Sequence, residues 1–467
     1  GEDLAVQDQQ LMIRTIEGLQ PISVIWRRLD SVWADPLELN EGSRLGTPGL
    51  LGAVRAGTVS MINALGVGVL ETRALMAFLP RLSEVLDARP LRIPNVATWW
   101  CGQPGERAHV RANAESMLFS PAWSTGLAHE TGGISPPPTG LEAWIERRAG
   151  ELVAQEKVRL STAPALVDGR LVPRPMTLRV FLARTAGGWR TMPGGFARIG
   201  RSEEPAAIAM QKGGQVADVW VVGHKAAAAE TMAAGTDGAA VRTPVAALPS
   251  RAADNLYWLG RYVERSEHMV RVLRARHDRL AEGDGSNRPL ADLAMDHLAA
   301  YGCVPGEPVP AALADCVAAA LASAGHVADR FSVDGMMALE DLSESVHDLV
   351  GQVAPGDDTA RAMSVLLRKL NGFAGLVYDT MYRVAGWHFL SIGRAVERAA
   401  DMSACLARFA DPAAPGGALD MAVEVGDSVM IHHRRYSVAS RRETVVDLLA
   451  LDERNPRSVL CQLGDIE

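Results

Sequence analysis

The spacing of apolar positions changes near residue 226 and divides the chain into two kinds of sequence. Before it, apolar residues alternate with polar ones or gather in short β-branched runs. That pattern predicts strands at Leu11–Ile16, Ser23–Arg28, Glu151–Leu160, Arg170–Leu182, Trp189–Pro193 and Asp218–Val222. Between them, apolar residues recurring at three and four predict helices over Leu50–Asn63 and Ala74–Leu86. Such a mixture reads as an α/β part. Beyond residue 250 the alternation nearly vanishes, Ala, Leu, Arg and Glu dominate, and the sequence predicts an all-α part. The segment AAAAETMAAGTDGAAVRTPVAALPS (226–250) carries small residues, Gly and Pro without apolar period. Residues 226–249 therefore read as a linker between domains at 1–225 and 250–467.

The helical part repeats itself. Leu259-Gly260-Arg261-Tyr262-Val263-Glu264-Arg265-Ser266 returns as Ile392-Gly393-Arg394-Ala395-Val396-Glu397-Arg398-Ala399, 133 residues later. The apolar stripe Leu256, Leu259, Val263, Val270, Leu273 maps onto Phe389, Ile392, Val396, Ser403, Leu406, with Ser403 the one polar member. Spacings of three and four place each stripe on one helical face, the seam of a bundle helix. Arg261 and Glu264 are three apart, which predicts an ion pair within one turn. A glycine inside a helix costs ~1 kcal/mol relative to Ala, so Gly260 and Gly393 point to close helix–helix approach. Two copies are too few for a solenoid and predict a pseudo-symmetric bundle.

Composition narrows the function classes. At 467 residues the chain has room for two or three domains. Its net charge of −8 excludes a generally basic coat for nucleic acid, so any anionic ligand must be held by a local cluster. The longest uncharged stretch of the Ala-rich region, Cys316 to Ala328, is shorter than the ~20 apolar residues a bilayer requires, so no membrane partner is expected. The first ten residues, GEDLAVQDQQ, are polar and acidic, unlike a signal peptide. Five scattered cysteines without a CxxC argue against a disulfide framework or a zinc site, and for a reducing, cytoplasmic setting. Cys101, beside Trp99 and Trp100, reads as a packed apolar thiol.

The segment YWLGRYVERSE (257–267), preceded by Pro249-Ser250-Arg251 and Asn255, resembles the opening of an alpha-E domain, an all-helical module. GRAVERA (393–399) and DLLALDERNPRSVLCQL (447–463) resemble its centre and its end, so the likeness spans about 250–467. Two readings of Glu264 and Glu397 follow. They are either paired carboxylates of a helical metal site, or members of Arg–Glu ladders that fix packing. The metal template wants Glu-x-x-His, whereas Glu264 is followed by Glu267 and His268, and Glu397 by Ala400 and Asp401. The ladder is the better fit, and no metal ligand is assigned. His432-His433-Arg434-Arg435 reads as a solvated basic helix face rather than an anion grip.

The first half resembles the later part of a circularly permuted ATP-grasp domain. The segments that carry the likeness include VIWRRLDSVWADPLEL (24–39), GTPGLLGAVRAGTVSMINALGVGVLE (46–71), PNVATWWCG (94–102), VAQEKVRLSTAP (153–164), LVPRPMTLRVFL (171–182), TMPGGFARIG (191–200) and MQKGGQVADVWVV (210–222). The resemblance implies a fold that is α/β (partial ATP-grasp) plus an all-α helical bundle (alpha-E). It implies ATP and Mg²⁺ as cofactors, with an activity like that of glutathione and glutathionylspermidine synthetases. Gln155, Glu156 and Lys157 match the hinge strand beside the adenine, and Lys212-Gly213-Gly214 a glycine loop that approaches an anion. Arg179 and Arg198 match the catalytic arginines near phosphate. Arg27 and Arg28, with Asp30, Asp35 and Glu38 nearby, are substrate-binding candidates, or else strand-flanking arginines paired with acidic neighbours. The likeness places a Glu-Asp-Asn-x-Arg metal motif upstream of residue 1, and Ser120 stands where the related pattern has a basic residue before proline.

The expected function is thus an ATP-dependent carboxylate–amine ligase that takes a nucleotide and a peptide or amino-acid substrate. The resemblance also implies a transglutaminase-like protein as partner. The rival is a non-catalytic scaffold whose alpha-E domain docks a partner and whose ATP-grasp part is degenerate. Ser120 and the upstream metal motif favour the rival for this chain, and the density of matching segments favours the enzyme for the full-length protein.

Overall fold

Leu11 and Thr15 are buried on one face of a strand whose Gln10 and Arg14, on the other face, are exposed, as the two-residue period of a strand dictates. In the computed structural model β1 (Leu4–Gln7), β2 (Gln10–Thr15) and β3 (Gly18–Pro21) form an antiparallel meander in that order. Its first turn places Asp8 and Gln9 at positive φ, as a tight two-residue hairpin requires. The structure describes residues 2–125, 134–137, 139–167, 169–200, 202, 214–223, 247–282, 285–436 and 439–467. Most of the expected linker, 226–246, lies outside them.

The chain divides into two compact units. One comprises Val24–Gly46 and Val54–Thr243, the other Gly1–Ser23, Thr47–Ala53 and Pro244–Glu467. By packing, the meander therefore groups with the helices.

In the α/β unit β4 (Val24–Trp26) pairs in parallel with β5 (Ser60–Ile62). The helix expected over Leu50–Asn63 stops early, as α1 (Leu50–Arg55), whose residues up to Ala53 group with the helical unit, because Gly57 turns the chain at positive φ and Thr58-Val59 feed the strand. The helix expected over Ala74–Leu86 is two helices, α2 (Arg73–Met76) and α3 (Leu79–Asp87), with Pro80 in the first turn of the second. Next come β6 (Thr98–Trp100), α4 (Pro104–Asn113), β7 (Met117–Pro121), α5 (Leu141–Arg147) and β8 (Leu152–Glu156). The sheet order is β6-β8-β7, antiparallel, over a core of Cys101, Val110, Phe119, Ile145 and Leu152. Burial pushes the Cys101 thiol up to about 11, against the opposing charge of Arg107, so it is the packed thiol its neighbours suggest.

A second antiparallel sheet runs β14-β13-β10-β9, from β9 (Thr162–Val167), β10 (Arg170–Arg179), β13 (Gly195–Ile199) and β14 (Gln215–Val219). Between β10 and β13 the hairpin of β11 (Leu182–Thr185) and β12 (Gly188–Thr191) stands exposed.

The helical unit is built on α6 (Ser250–Ala281). Around it lie α7 (Arg288–Leu298), α8 (Ala311–Gly325), α9 (Val333–Leu349), α10 (Asp357–Thr380) and α11 (Ala385–Phe409). Shorter helices α12 (Ala418–Val425), α13 (Val429–Tyr436), α14 (Arg442–Val446) and α15 (Val459–Ile466) close it. Every member of the first stripe, Leu256 to Leu273, is buried in the shared core. Among the described residues no helix is long and apolar enough to cross a membrane.

Candidate functional site

Registry in the four-stranded sheet brings the two candidate arginines to one face. Thr177 pairs with Arg198 and Arg179 with Phe196, and paired residues share a face, as do residues two apart on a strand. Arg179, Arg198 and Phe196 therefore stand together, with Val216 and Asp218 of β14 beside them. The Arg179 guanidinium lies 5.7 Å from the centre of the Phe196 ring, and that ring is 6.0 Å from Phe181. Phe181 in turn lines a cleft of about 560 Å³ with Trp26, Arg27, Arg28, Asp30, Asn63 and Glu71. A basic sheet face thus continues through two aromatic rings into a cleft with exposed Trp26 and Arg28. Cations beside flat apolar surface are the chemistry that a polyanion with an aromatic base requires.

Arg27 lines this cleft with its guanidinium bonded to the backbone. Its Nε donates to the Asn63 carbonyl (2.8 Å), Nη2 to that of Ala64 (3.3 Å) and Nη1 to that of Leu29. Asn63, in left-handed backbone, returns a bond from its Nδ2 to the Arg27 carbonyl (3.1 Å). Neither reading of Arg27 from sequence foresees this carbonyl clamp, which fixes the loop and leaves exposed Arg28 as the cation of the cleft. Gln155 is buried and donates to Thr98 Oγ1 (3.0 Å), with Met76 Sδ 3.6 Å away. Glu156 is exposed at the strand end, and Lys157 Nζ donates to the Glu115 carbonyl (2.6 Å). None of these three lines the cleft. Lys212 and Gly213 lie outside the described residues, and Gly214 immediately precedes β14. The buried Ser120 hydroxyl has no hydrogen-bond partner among the described residues.

The helical unit carries a second constellation. Gly260 packs against the Leu390 carbonyl and Gly393 against the Tyr257 carbonyl, contacts that a Cβ on either would turn into collisions. Residues 257 and 390 are themselves 133 apart, so the α6–α11 crossing obeys the pseudo-two-fold of the repeat. Charges follow the same rule. Arg261 and Arg265 of the first copy bind Glu397 of the second, the latter at 2.6 Å. Arg394 and Arg398 of the second bind Glu264 of the first, at 3.3 and 2.5 Å. The pair expected between Arg261 and Glu264 in one turn is therefore absent, because the helices approach closely enough for each to pair with the other. This is an Arg–Glu ladder across the bundle. Among the described residues no group of three His, Cys, Asp or Glu side chains is arranged to hold a metal.

The first copy has an additional partner. A single π-helical turn at Asp447–Leu451 leads to Asn455, whose Nδ2 donates to the Leu448 carbonyl (2.8 Å), and to Ser458, whose Oγ caps α15. Between them Arg457 reaches back to Glu264 (3.3 Å) and Glu267. Burial opposes the Glu264 charge, yet Arg398, Arg394 and Arg457 hold its carboxyl far below the usual range. Glu267 also receives Arg271 at 2.9 and 3.0 Å.

Next to this ladder lies a buried polar chain that sequence reasoning missed. His268 Nε2 and His297 Nε2 are 2.8 Å apart, and Tyr301 donates to Asp401 Oδ1 at 2.7 Å while its ring touches both imidazoles. Burial pushes His268 down to about 3, with the neighbouring His297 adding to it, and His297 down to about 4. Burial, then the Glu397 charge, raises Asp401 to about 8, so it is protonated at neutral pH. His268 and Asp401 occupy equivalent places in the two copies. That was the one available signal, and their unlike chemistry concealed it. His432 is also buried, bonded to Thr444 Oγ1 at 2.9 Å, so the run 432–435 is not a wholly solvated face.

Two known families match the chain, one in each half. Residues 1–200 match the family described as circularly permuted ATP-grasp type 2. Residues 248–467 match alpha-E, described as a predicted alpha-helical domain with a conserved ER motif, and Glu264-Arg265 and Glu397-Arg398 are such dipeptides at the centre of the ladder. The chain joins a circularly permuted ATP-grasp domain to an alpha-E domain.

Relatives match either nearly the whole chain or about half of it. The uncharacterized protein Rv2567 of Mycobacterium tuberculosis is 30% identical over 508 residues, 99% of this chain and 57% of that protein. The uncharacterized protein sll0335 of Synechocystis is 30% identical over 226 residues, 48% of this chain and 47% of its own length. The chain thus spans a little over half the length of the mycobacterial relative.

Proposed function

We propose that this chain belongs to an ATP- and Mg²⁺-dependent carboxylate–amine ligase. The single observation that carries the reading is the shared face of Arg179 and Arg198, continuous through Phe196 and Phe181 with the Arg28 cleft. Arg179, Arg198 and Arg28 would hold phosphate oxygens, and Trp26 and Phe181 offer flat surface to the base. In the reaction a substrate carboxylate oxygen takes the γ-phosphoryl group and ADP leaves. The amine nitrogen then attacks the acyl carbon, phosphate departs and the amine loses a proton. Fixed cations matter because negative charge spreads over the transferring group. Mg²⁺, when bound, would neutralise part of that charge. The acyl acceptor and donor are a peptide or amino acid on this reading.

Calorimetric titration of the chain with ATP and magnesium tests it. Arg179→Ala and Arg198→Ala should each weaken binding by roughly tenfold, about one ion pair's worth, and hydroxylamine should trap acyl hydroxamate when a substrate carboxylate is present. Binding untouched by either substitution would dismiss the site. The second reading, a scaffold with a transglutaminase-like partner, is favoured by Gln155 and Lys157, whose polar groups are bonded to Thr98 and to the Glu115 carbonyl. It requires that no hydroxamate is trapped, whether or not nucleotide binds.

A further inference from the structure

The pseudo-two-fold also shows where the two copies stop being alike. Arg271 and Arg274 on α6 correspond to Ala404 and Ala407 on α11. In the first copy Arg271 is buried, bound to Glu267 at 2.9 Å and facing Asp427 at 3.4 Å, so that face of α6 is covered. In the second copy the arginines are replaced by methyl groups. What remains is a groove of about 650 Å³ on α11, within the usual range for a small-molecule site.

Four polar residues line it. Tyr301 donates a hydrogen bond from its hydroxyl to Asp401, and His297 shares its Nε2 contact with His268, so both are committed inward and carry no charge. Arg408 and Asp411 stand at the rim, and neither has an ion-pair partner among the described residues. Among the described residues the Asp411 carboxylate accepts only the Ala413 N–H, at 2.7 Å. One cation and one anion, both unpaired, thus flank a wall of alanines. A simple anion would be repelled by Asp411, and a simple cation by Arg408. A ligand with both charged groups on one carbon and an apolar body satisfies all three features. We propose that this groove binds a zwitterion of the α-amino-acid type, with its carboxylate on Arg408, its ammonium on Asp411 and its apolar side chain on Ala404 and Ala407.

The test uses the intact chain and calorimetry with leucine, alanine and phenylalanine as probes. Two leucine analogues, 4-methylpentanoate without the amine and 3-methylbutylamine without the carboxylate, separate the charges. At least one amino acid should bind saturably below about 10 mM. Each analogue should bind at least ~10-fold more weakly than leucine, and Arg408→Gln and Asp411→Asn should each weaken amino-acid binding by a similar factor. Both residues are exposed, so the variants should keep the parent's circular dichroism and melting temperature. An analogue that matches leucine, a variant without effect, or no saturable binding by any of the three amino acids would overturn the proposal.

Discussion

Glu264 on α6 and Arg398 on α11, 134 residues apart in sequence, share two hydrogen bonds of 2.5 and 2.7 Å in a nearly dry crossing. The carboxylate is only 1% exposed and is surrounded by three guanidinium groups. Removing its charge strands those arginines in low dielectric, which typically costs about 3–5 kcal/mol. Glu264→Gln should therefore lower the melting temperature of the helical unit, and more than Glu397→Gln, whose carboxylate has two arginines. Arg398→Lys should not rescue, because one ammonium cannot reproduce a two-bond fork. Thermal melts followed by circular dichroism decide it, and an unchanged transition in Glu264→Gln would refute the ladder's structural role.

The glycines of the repeat make a second prediction. Gly393 faces the Tyr257 carbonyl with no room for a Cβ, so Gly393→Ala must push backbone apart and should destabilise by roughly 3 kcal/mol. Gly375, inside α10, has nothing near its Cβ position. There the same change removes only glycine's backbone freedom and should stabilise by about 0.5–1 kcal/mol. Parallel urea titrations of the two variants check the sign of each effect, and equal responses would show that the close approach is not what the glycine serves.

How much of this was legible depended on whether an interaction is local. The repeat of Gly-Arg-x-x-Glu-Arg predicted a bundle seam and close helix approach, and both are present. It did not say which arginine meets which glutamate, because spacing along one helix favours Arg261 with Glu264 and only the crossing reveals Arg261 with Glu397. Arg457 lies 193 residues from Glu264, beyond any periodicity, and its role came only from the fold of the turn that presents it. In the α/β unit the strands around Arg179 and Arg198 were readable, and their shared face follows from register, which a single strand's sequence does not encode. Arg27 drew attention as a charge in a charged stretch, yet its work is to hold three carbonyl oxygens. Gly57 shortened the Leu50–Asn63 helix because a run of apolar residues at helical spacing does not exclude a turn within it.

The last prediction concerns pH. His268 and His297 are neutral in the fold, at about 3 and about 4, and take up protons near 6.5 when unfolded. Between those values the unfolded chain holds more protons, so stability rises with pH up to about 6.5 and is lost as pH falls. Their shared Nε2 contact reinforces this, since one nitrogen must accept and two imidazolium rings cannot pair. The charges facing them are Glu264, Arg457 and Arg271 around His268, and Arg408 beside His297. Asp401 works in the opposite sense. Its carboxyl is raised from 3.8 to about 8, so the folded chain holds the extra proton and stability falls as pH rises through that window. Below 6.5 two histidines outweigh one aspartate, and above it only Asp401 remains of this group. The melting temperature of the helical unit should therefore peak near pH 6.5 and decline towards pH 8. Asp401→Asn mimics the protonated acid and still accepts from Tyr301, so it should abolish the decline and leave the acid limb in place. His268→Gln should flatten the acid limb. Melting curves from pH 4 to 9 on the three proteins test both limbs, and a decline above pH 6.5 that survives Asp401→Asn would assign it to another group.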